Sequence, residues 1–271
     1  MLGAGVVRYA DASRRGAARP GERARRPFIV ETGSERHLLF SNDSVQSSMR
    51  LDDPDALTCE YTRRMMAFLL FNPDPRHILM IGLGGGSLAK FCYRHLPSAA
   101  ITAVEIDSDV IALRDEFCLP FDDHRFRVVH DDGARFVARV SDRFDAILID
   151  AFDQSGVAPS LGTPEFYRNV SARLDPRGVL VMNLSGEASR YDAHLQGFHG
   201  AFGERTMLLP IASSGNELLF ALGAEVSLQE STREERAREL QRVLALDFPR
   251  YASLLANDAR KVLERGKSIP S

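Results

Sequence analysis

Residues 81–87 read Ile81-Gly82-Leu83-Gly84-Gly85-Gly86-Ser87, and this glycine-rich loop decides how the chain is expected to fold. A short apolar strand comes directly before it, and a helical pattern follows from Leu88. Glycines at such a turn let the backbone bend sharply and approach a ligand that a β-carbon would repel. The loop therefore predicts a ligand-binding turn in a parallel sheet, although an ordinary structural turn would also explain it.

Apolar strands alternate with helices on the carboxyl side of residue 75. The predicted strands are His77–Gly82, Ile101–Ile106, Arg125–His130, Phe144–Asp150, Val179–Leu184, Thr206–Ile211 and Leu218–Leu222. The predicted helices are Leu88–Leu96, a segment ending at Leu113, Ala134–Val140 and Pro164–Leu174. Near-continuous apolar strands indicate a parallel sheet buried on both faces, and the last two strands would add an antiparallel hairpin at its edge.

Four segments are predicted along the chain. Residues 1–26 contain seven arginines without sustained apolar periodicity and are expected to be a disordered leader. Residues 27–75 show short strands up to Leu51, followed by a helix expected to begin at Asp52-Asp53-Pro54-Asp55, because Asp and Pro favour a first turn. Residues 76–225 are expected to form the α/β domain, and residues 226–271 show a helical pattern with a charged face.

The composition excludes several classes of protein. The 271 residues contain 34 basic and 37 acidic side chains, a net charge of −3, which argues against a nucleic-acid partner. No apolar run approaches the roughly 18 residues of a membrane span. Three isolated cysteines, Cys59, Cys92 and Cys118, indicate neither a disulfide framework nor a metal site. A cytoplasmic protein without metal is expected.

Acidic residues end three consecutive predicted strands. Glu105 follows Gly82 by 105 − 82 = 23 residues, the spacing at which an acid accepts hydrogen bonds from ribose hydroxyls. Asp131-Asp132-Gly133 ends the next strand, and Asp150 ends the one after it. Ligands of open α/β sheets lie beyond the carboxyl ends of the strands. Together with the glycine loop, these acids predict a nucleoside pocket, although each alone could cap a helix.

The kind of nucleoside can be narrowed from the loop. No Gly-Lys-Ser/Thr follows, so the loop is not a Walker phosphate site. A dinucleotide such as NAD stays open, but Ser87 stands at the third glycine position of that fingerprint. The acidic end of the third strand and the terminal hairpin favour an adenosyl-sulfonium compound of the S-adenosylmethionine type.

Over roughly residues 28–222 the chain resembles the spermidine synthase (polyamine aminopropyltransferase) family. The matching pieces are Val45-Gln46, the Gly82–Gly86 loop, Val104-Glu105-Ile106-Asp107, Asp131-Asp132-Gly133, Ile149-Asp150-Ala151-Phe152-Asp153 and Leu161–Tyr167. The resemblance implies a small N-terminal β domain packed on a seven-stranded Rossmann-like sheet of the S-adenosylmethionine-dependent methyltransferase type. It also implies a homo-oligomer that assembles through the N-terminal β region.

The resemblance implies that the enzyme binds decarboxylated S-adenosylmethionine or methylthioadenosine and transfers an aminopropyl group to an amine such as putrescine. Asp150 would help to deprotonate the attacking amine, with Asp153 beside it. Gln46, Glu105 and Asp132 would contact the nucleoside. The full set of expected cofactor-binding residues is Gln46, Gly82, Gly84, Gly85, Gly86, Glu105, Asp131, Asp132 and Gly133.

The departures from the family pattern concern the amine end of the site. Gly85 replaces an aspartate of the family's loop, and Gln154 replaces a proline after the second catalytic-loop aspartate. Tyr61 is a partial counterpart of a Tyr-His pair, and Arg63 and Arg64 would repel a polyamine if they faced the pocket. Two alternatives therefore stay open: a methyltransferase that uses S-adenosylmethionine on the same scaffold, and a non-catalytic nucleoside-binding paralogue.

Overall fold

The computed structural model describes residues 6–9, 26–41, 44–153, 156–184, 188–211 and 215–256. Most of the predicted leader, Gln154 and the predicted helical residues 257–271 lie outside this set. Within the described residues, no helix is long and apolar enough to cross a membrane.

An antiparallel sheet of four strands forms the N-terminal part. Its strands are β1 (Val6–Tyr9), β2 (Phe28–Thr32), β3 (Glu35–Ser41) and β4 (Ser44–Arg50), in that order. β2 and β3 form the predicted hairpin around the turn at Gly33 and Ser34. Apolar side chains are buried on both faces of this hairpin: Ile29 and Leu38 join the main core, and a separate small cluster is formed by Phe28, Val30 and Leu39.

The central sheet has seven strands in the order β12-β13-β11-β8-β5-β6-β7. The remaining strands of the chain are β5 (His77–Ile81), β6 (Ala100–Glu105), β7 (Phe126–His130), β8 (Phe144–Ile149), the short hairpin β9 (Phe152–Asp153) and β10 (Gly156–Val157), β11 (Leu174–Leu184), β12 (Thr206–Ile211) and β13 (Asn216–Leu222). β13 runs antiparallel to both of its neighbours, and the pairs among β5, β6, β7, β8 and β11 are parallel. The predicted parallel sheet with an antiparallel edge is confirmed.

Helices cover both faces of the central sheet. They are α1 (Glu60–Met65), continued by a 3-10 helix at Met66–Leu70, α2 (Ser87–His95), α3 (Ser108–Ala112), α4 (Gly133–Arg139), a 3-10 turn at Pro159–Gly162, α5 (Pro164–Arg173), α6 (Ala188–Phe202), α7 (Glu230–Leu244) and α8 (residues 248–256). The sequence patterns predict no element at α6, which connects β11 to β12.

Alternating side chains of the strands divide the core into two layers. Ile78 and Met80 of β5 pack on the side that carries α1, α2, α7 and the N-terminal sheet. Leu79 and Ile81 point to the opposite side, against α4, α5 and α6. Because successive side chains of a strand face opposite ways, an apolar run such as Ile78–Ile81 is buried on both sides.

Two local predictions differ from the structure. The helix expected at Asp52–Asp55 begins only at Glu60, because Ala56 closes a turn onto the Asp53 carbonyl and Thr58 bonds back to the Ser48 carbonyl. These contacts hold residues 52–58 against β4 instead of letting them coil.

Val6–Tyr9 of the predicted disordered leader form strand β1, paired antiparallel with β2. The free backbone groups along the edge of β2 offer hydrogen-bond partners, and Val and Tyr are good strand formers. A disordered leader was therefore the wrong expectation for these four residues.

Candidate active site

A cavity of about 470 Å³ opens at the carboxyl ends of β5, β6 and β8. This volume is in the range of pockets that hold small ligands. The predicted site residues on its wall are Gln46, Gly82, Gly84, Glu105, Asp132, Gly133 and Asp150. The N-terminal sheet, α1 and the central sheet all contribute side chains to this wall.

Gly82 joins the glycine loop to the end of β8. Its amide donates to the Val104 carbonyl at 2.9 Å, and the amide of Asp150 donates to the Ile81 carbonyl at 2.9 Å. A β-carbon at position 82 would lie 2.2 Å from the Asp150 carbonyl oxygen, and the φ of +93° is one that favours glycine. Only glycine lets β5 and β8 end so close together, which places Asp150 beside the loop.

Glu105 is a buried carboxylate, 9% exposed, at the end of β6. Its Oε2 accepts from the Leu83 amide at 2.8 Å, and its Oε1 accepts from the Asp107 amide at 2.9 Å. Burial raises the pKa of Glu105, and these amide bonds oppose that rise. Each carboxylate oxygen can accept a second hydrogen bond. Glu105 can therefore hold the loop in place and still accept from ribose hydroxyls.

Asp132 and Ile106 both line the cavity. Asp132 caps α4 through Oδ1, which accepts from the Arg135 amide at 2.9 Å, and its Oδ2 accepts from the Ser160 hydroxyl at 3.2 Å. Ile106 is 63% exposed although it is apolar. An exposed apolar side chain beside a hydrogen-bond acceptor is a suitable surface for a planar base with an exocyclic amine.

Asp150 lies half-buried at the other part of the cavity. The Asn183 Nδ2 donates to its Oδ1 at 2.9 Å, and the Tyr61 hydroxyl is a second hydrogen-bond partner. Burial raises the pKa of Asp150, and both hydrogen bonds lower it in part. Burial also raises the pKa of Tyr61 well above 10, so Tyr61 remains a donor. Asp150 is thus a carboxylate with a raised affinity for protons, as general-base chemistry requires.

Three predicted cofactor-binding residues do not belong to the described cavity wall. The α-carbons of Gly85 and Gly86 face Phe117 and Leu119, where an added β-carbon would come within 2.9 Å and 2.6 Å of those side chains. Asp131 is not among the cavity residues, and its Oδ2 pairs with the Arg139 Nη2 at 2.6 Å. These contacts shape the loop and the start of α4, and the role of the three residues as ligand contacts stays a prediction.

The remaining predicted residues fall into two groups. Asp153 belongs to β9, next to the cavity residue Phe152, but its side chain lies outside the described set, as does Gln154. Arg63 donates to the Leu57 and Thr58 carbonyls, and Arg64 donates to the Pro210 carbonyl and Glu60. Neither arginine is a cavity residue, so the repulsion considered from the sequence does not arise.

Asn183 and Asn216 are functional-site neighbours that the sequence patterns miss. Asn183 binds Asp150 directly, and Asn216 binds Asn183. An asparagine inside an apolar strand carries no motif. The available signal was the rarity of a polar side chain within the otherwise apolar run Val179–Leu184.

The described part of the cavity wall is acidic. Its charged side chains are Glu105, Asp132 and Asp150, and it includes no Lys, Arg or His. Among the described residues, no cluster of three or more His, Cys, Asp or Glu is placed to hold a metal ion. Three carboxylates facing one enclosed space favour a ligand that carries positive charge.

The sheet order is that of an α/β protein with the methyltransferase-type fold, and the cavity lies at the carboxyl ends of its strands. The structure of human methyltransferase-like protein 13 in complex with SAH is similar at a TM-score of 0.62 and 29% identity, covering 69% of this chain and 93% of that one. A spermidine synthase in complex with the transition state analogue AdoDATO is similar in fold at a TM-score of 0.69 and 21% identity, covering 89% and 85%.

The sequence identifies the particular family. The model of the spermine/spermidine synthase domain matches residues 58–193. The chain is 40% identical to the polyamine aminopropyltransferase of Chromobacterium violaceum over 229 residues, which cover 84% of this chain and 88% of that protein. The chain therefore belongs to the spermine/spermidine synthase family.

Proposed function

We propose that the chain is an aminopropyltransferase that moves the aminopropyl group of decarboxylated S-adenosylmethionine to an amine, with Asp150 as the base. The observation that carries this proposal is the shared cavity of Glu105, Asp132 and Asp150. It offers acceptors for a nucleoside in one part and a hydrogen-bonded carboxylate in the other.

The reaction needs an uncharged amine, because a protonated nitrogen has no lone pair. Alkyl amines have a pKa of about 10.4, so the acceptor arrives as a cation that Asp150 attracts. Asp150 then takes one proton, and the nitrogen attacks the methylene beside the sulfonium. The new C–N bond forms as the C–S bond breaks, and the sulfur leaves as the neutral thioether methylthioadenosine. Holding both reactants in one cavity supplies much of the remaining acceleration.

The charge of the cavity supports the decarboxylated compound over S-adenosylmethionine itself. S-adenosylmethionine carries an α-carboxylate, and the described cavity wall has three carboxylates and no basic side chain to receive it. Bringing like charges together in an enclosed site costs free energy. Methyl transfer from S-adenosylmethionine is the second candidate, and the similarity to methyltransferase-like protein 13 supports it.

The acceptor is an amine such as putrescine, and the enzyme acts as a cytoplasmic homo-oligomer joined through the N-terminal sheet. Arg63 and Arg64 donate hydrogen bonds to backbone carbonyls, which hold both positive charges away from the cavity. This arrangement supports a cationic acceptor. Light scattering on the purified protein gives the oligomer directly.

Replacing the proposed base tests the function. Asp150→Asn keeps the size of the side chain and removes its capacity to accept a proton, so turnover of decarboxylated S-adenosylmethionine with putrescine should fall by about 10²–10⁴-fold. Methylthioadenosine should still raise the melting temperature of the variant, since Glu105 and Asp132 are unchanged.

Asp74→Asn is the matched control, because it makes the same change in an exposed ion pair at the opposite edge of the sheet. Its turnover should equal that of the native enzyme. Undiminished turnover in Asp150→Asn would remove Asp150 as the base. Methyl transfer from S-adenosylmethionine, with no aminopropyl transfer by the native enzyme, would replace the proposed function with the second candidate.

A further inference from the structure

Asp150 is the first member of a row of polar side chains that crosses three strands. Met182 pairs with Ile149 in the parallel β11–β8 ladder, so Asn183 lies beside Asp150. Asn183 pairs with Leu218 in the antiparallel β11–β13 ladder, which puts Asn216 at the diagonal position on the same face. The carboxyl ends of β8 and β11 thus meet the amino end of β13 at one edge.

Two hydrogen bonds connect this row. The Asn216 Nδ2 donates to the Asn183 Oδ1 at 2.9 Å, and the Asn183 Nδ2 donates to the Asp150 Oδ1 at 2.9 Å. Asn183 is 1% exposed and Asn216 is 9% exposed, and neither is a cavity residue. The two amides are therefore placed behind Asp150, where they can act on it without touching a substrate.

The orientation of the Asn183 carboxamide within this row depends on Asn216. A carboxamide can rotate to exchange its oxygen and its NH₂ group, and the reversed Asn183 would present an oxygen to the Asp150 carboxylate. Asn216 donates to the Asn183 oxygen, so it favours the orientation in which the NH₂ group faces Asp150. The reversed orientation would leave the buried Asn183 oxygen without a donor, and this cost opposes the reversal.

We propose that Asn216 is a positioning residue for the base: it fixes the Asn183 amide so that Asn183 donates to Asp150 and holds it as a carboxylate ready to accept a proton. The catalytic consequence rests on the proposed function, but the arrangement itself does not. A hydrogen bond to the charged form of a carboxyl group favours that form. The pair Asn183 and Asn216 therefore offsets part of the cost of burying the Asp150 charge.

Among the side chains that the structure describes, the titratable groups that face Asp150 come from the segment that begins α1. The Tyr61 hydroxyl bonds to Asp150, and the pKa of the Cys59 thiol is raised mainly by burial, with a smaller contribution from the Asp150 charge. β11 and β13 contribute the two asparagines. Of these groups, Tyr61 stays protonated because its pKa is raised, so it does not titrate in the range where Asp150 does.

Carboxyl ¹³C NMR of the full-length enzyme measures the Asp150 titration directly, with Asp150→Asn used to assign the signal. Asn216→Leu removes the donor without adding charge, and Asn216→Asp removes it and reverses Asn183. Both should move the Asp150 midpoint to higher pH. We expect about one pH unit for Asn216→Asp, which is roughly a tenfold lower carboxylate-to-acid ratio at a given acidic pH. Asn72→Asp, at the opposite edge of the sheet, is the matched control and should leave the Asp150 midpoint unchanged.

The same variants should shift the acid limb of kcat/KM upward, so the loss of activity is largest at low pH and shrinks as the pH rises. A merely structural defect would lower kcat/KM equally at every pH. In the native enzyme, the Asn183 side-chain NH₂ signals should follow the Asp150 midpoint, a readout that needs no variant to fold.

An unchanged midpoint in both Asn216 variants would overturn the proposal. A shift in Asn216→Asp without one in Asn216→Leu would overturn it as well, since repulsion between two carboxylates would then explain the shift. If both Asn216 variants shift the Asp150 midpoint but the native enzyme transfers no aminopropyl group, the proposed function is contradicted. The positioning of Asp150 by Asn216 is then still supported.

Discussion

At the scale of single residues, neighbouring side chains explain why position 85 holds glycine. The loop of the family carries an aspartate at this position, and the sequence shows the substitution but not its setting. A β-carbon here would come 2.7 Å from the Ser47 Oγ and 2.9 Å from the Phe117 Cδ1. Ser47 and Phe117 fill the space that a side chain at position 85 would need, so this loop is packed for glycine.

Restoring the acid should therefore destabilise the protein. Gly85→Asp overpacks the contact with Ser47 and Phe117, for which we expect a loss of about 1–3 kcal/mol in the free energy of unfolding. Urea unfolding followed by circular dichroism measures it. Gly200→Asp is the control, because an added β-carbon there meets no atom within 4 Å. Equal stability of the two variants would show that the loop readily makes room for a side chain.

The sequence predicted acids at strand ends better than it predicted their roles. Glu105 and Asp150 were predictable because the carboxyl ends of parallel strands meet at one edge. Asp131 and Asp132 were not separable, since one residue of difference decides which carboxylate caps α4 inside the cavity and which one pairs with Arg139 outside it. Asn183 could not be assigned, because its partners come from strands that are distant in sequence.

At the scale of elements, a buried hydrogen bond connects α2 to the segment that follows α3. Lys90 of α2 is 1% exposed, and its Nζ donates to the Phe117 carbonyl at 2.7 Å. Arg36 of β3 reaches the Glu116 carbonyl of the same segment. These contacts seat Phe117 and Leu119 against the glycine loop. The start of α1 illustrates the opposite case, because contacts with β4 outweighed the local helix signals at Asp52–Asp55.

Lys90 should make the stability of the protein depend on pH. Burial lowers the pKa of Lys90 from 10.5 to about 8. Between these values the unfolded chain binds the proton and the folded chain does not, so the free energy of unfolding should rise with pH. The slope is about 1.4 kcal/mol per pH unit, or about 2 kcal/mol from pH 8 to pH 9.5.

The comparison of native protein with Lys90→Met isolates this contribution, because methionine has a similar length and no charge. Chemical unfolding at a series of pH values should show the rise in the native protein and a smaller one in the variant. Arg94→Met, which removes an exposed positive charge from the same helix, should retain the native slope. Parallel pH curves for native protein and Lys90→Met would contradict the lowered pKa.

At the scale of the whole molecule, the expected boundary near residue 75 does not divide the core. Met65 and Phe68 from its amino side share one buried cluster with Ile78, Val181 and Phe220 of the central sheet. Cys59, Tyr61 and Gln46 also complete the cavity wall. The segment that the sequence separated as residues 27–75 therefore contributes to both the core and the site of the α/β domain.

The molecule should accordingly unfold as one unit. Phe68→Ala creates a cavity in the shared cluster and should lower the free energy of unfolding by about 3–5 kcal/mol. Circular dichroism and tyrosine fluorescence, suited to a chain without tryptophan, should report coincident transitions. Phe121→Ala, at a side chain 82% exposed, should cost less than about 0.5 kcal/mol. Separate transitions for the two sheets would show independent domains.

The acidic cavity has a consequence for product release in the proposed reaction. There the sulfonium donor would bring positive charge to a cavity that carries Glu105, Asp132 and Asp150, whereas methylthioadenosine would leave as an uncharged thioether. Chemistry itself thus removes the electrostatic attraction that held the nucleoside. The site discriminates between the two states of the same nucleoside by charge, and each turnover weakens the hold on the spent half of the donor.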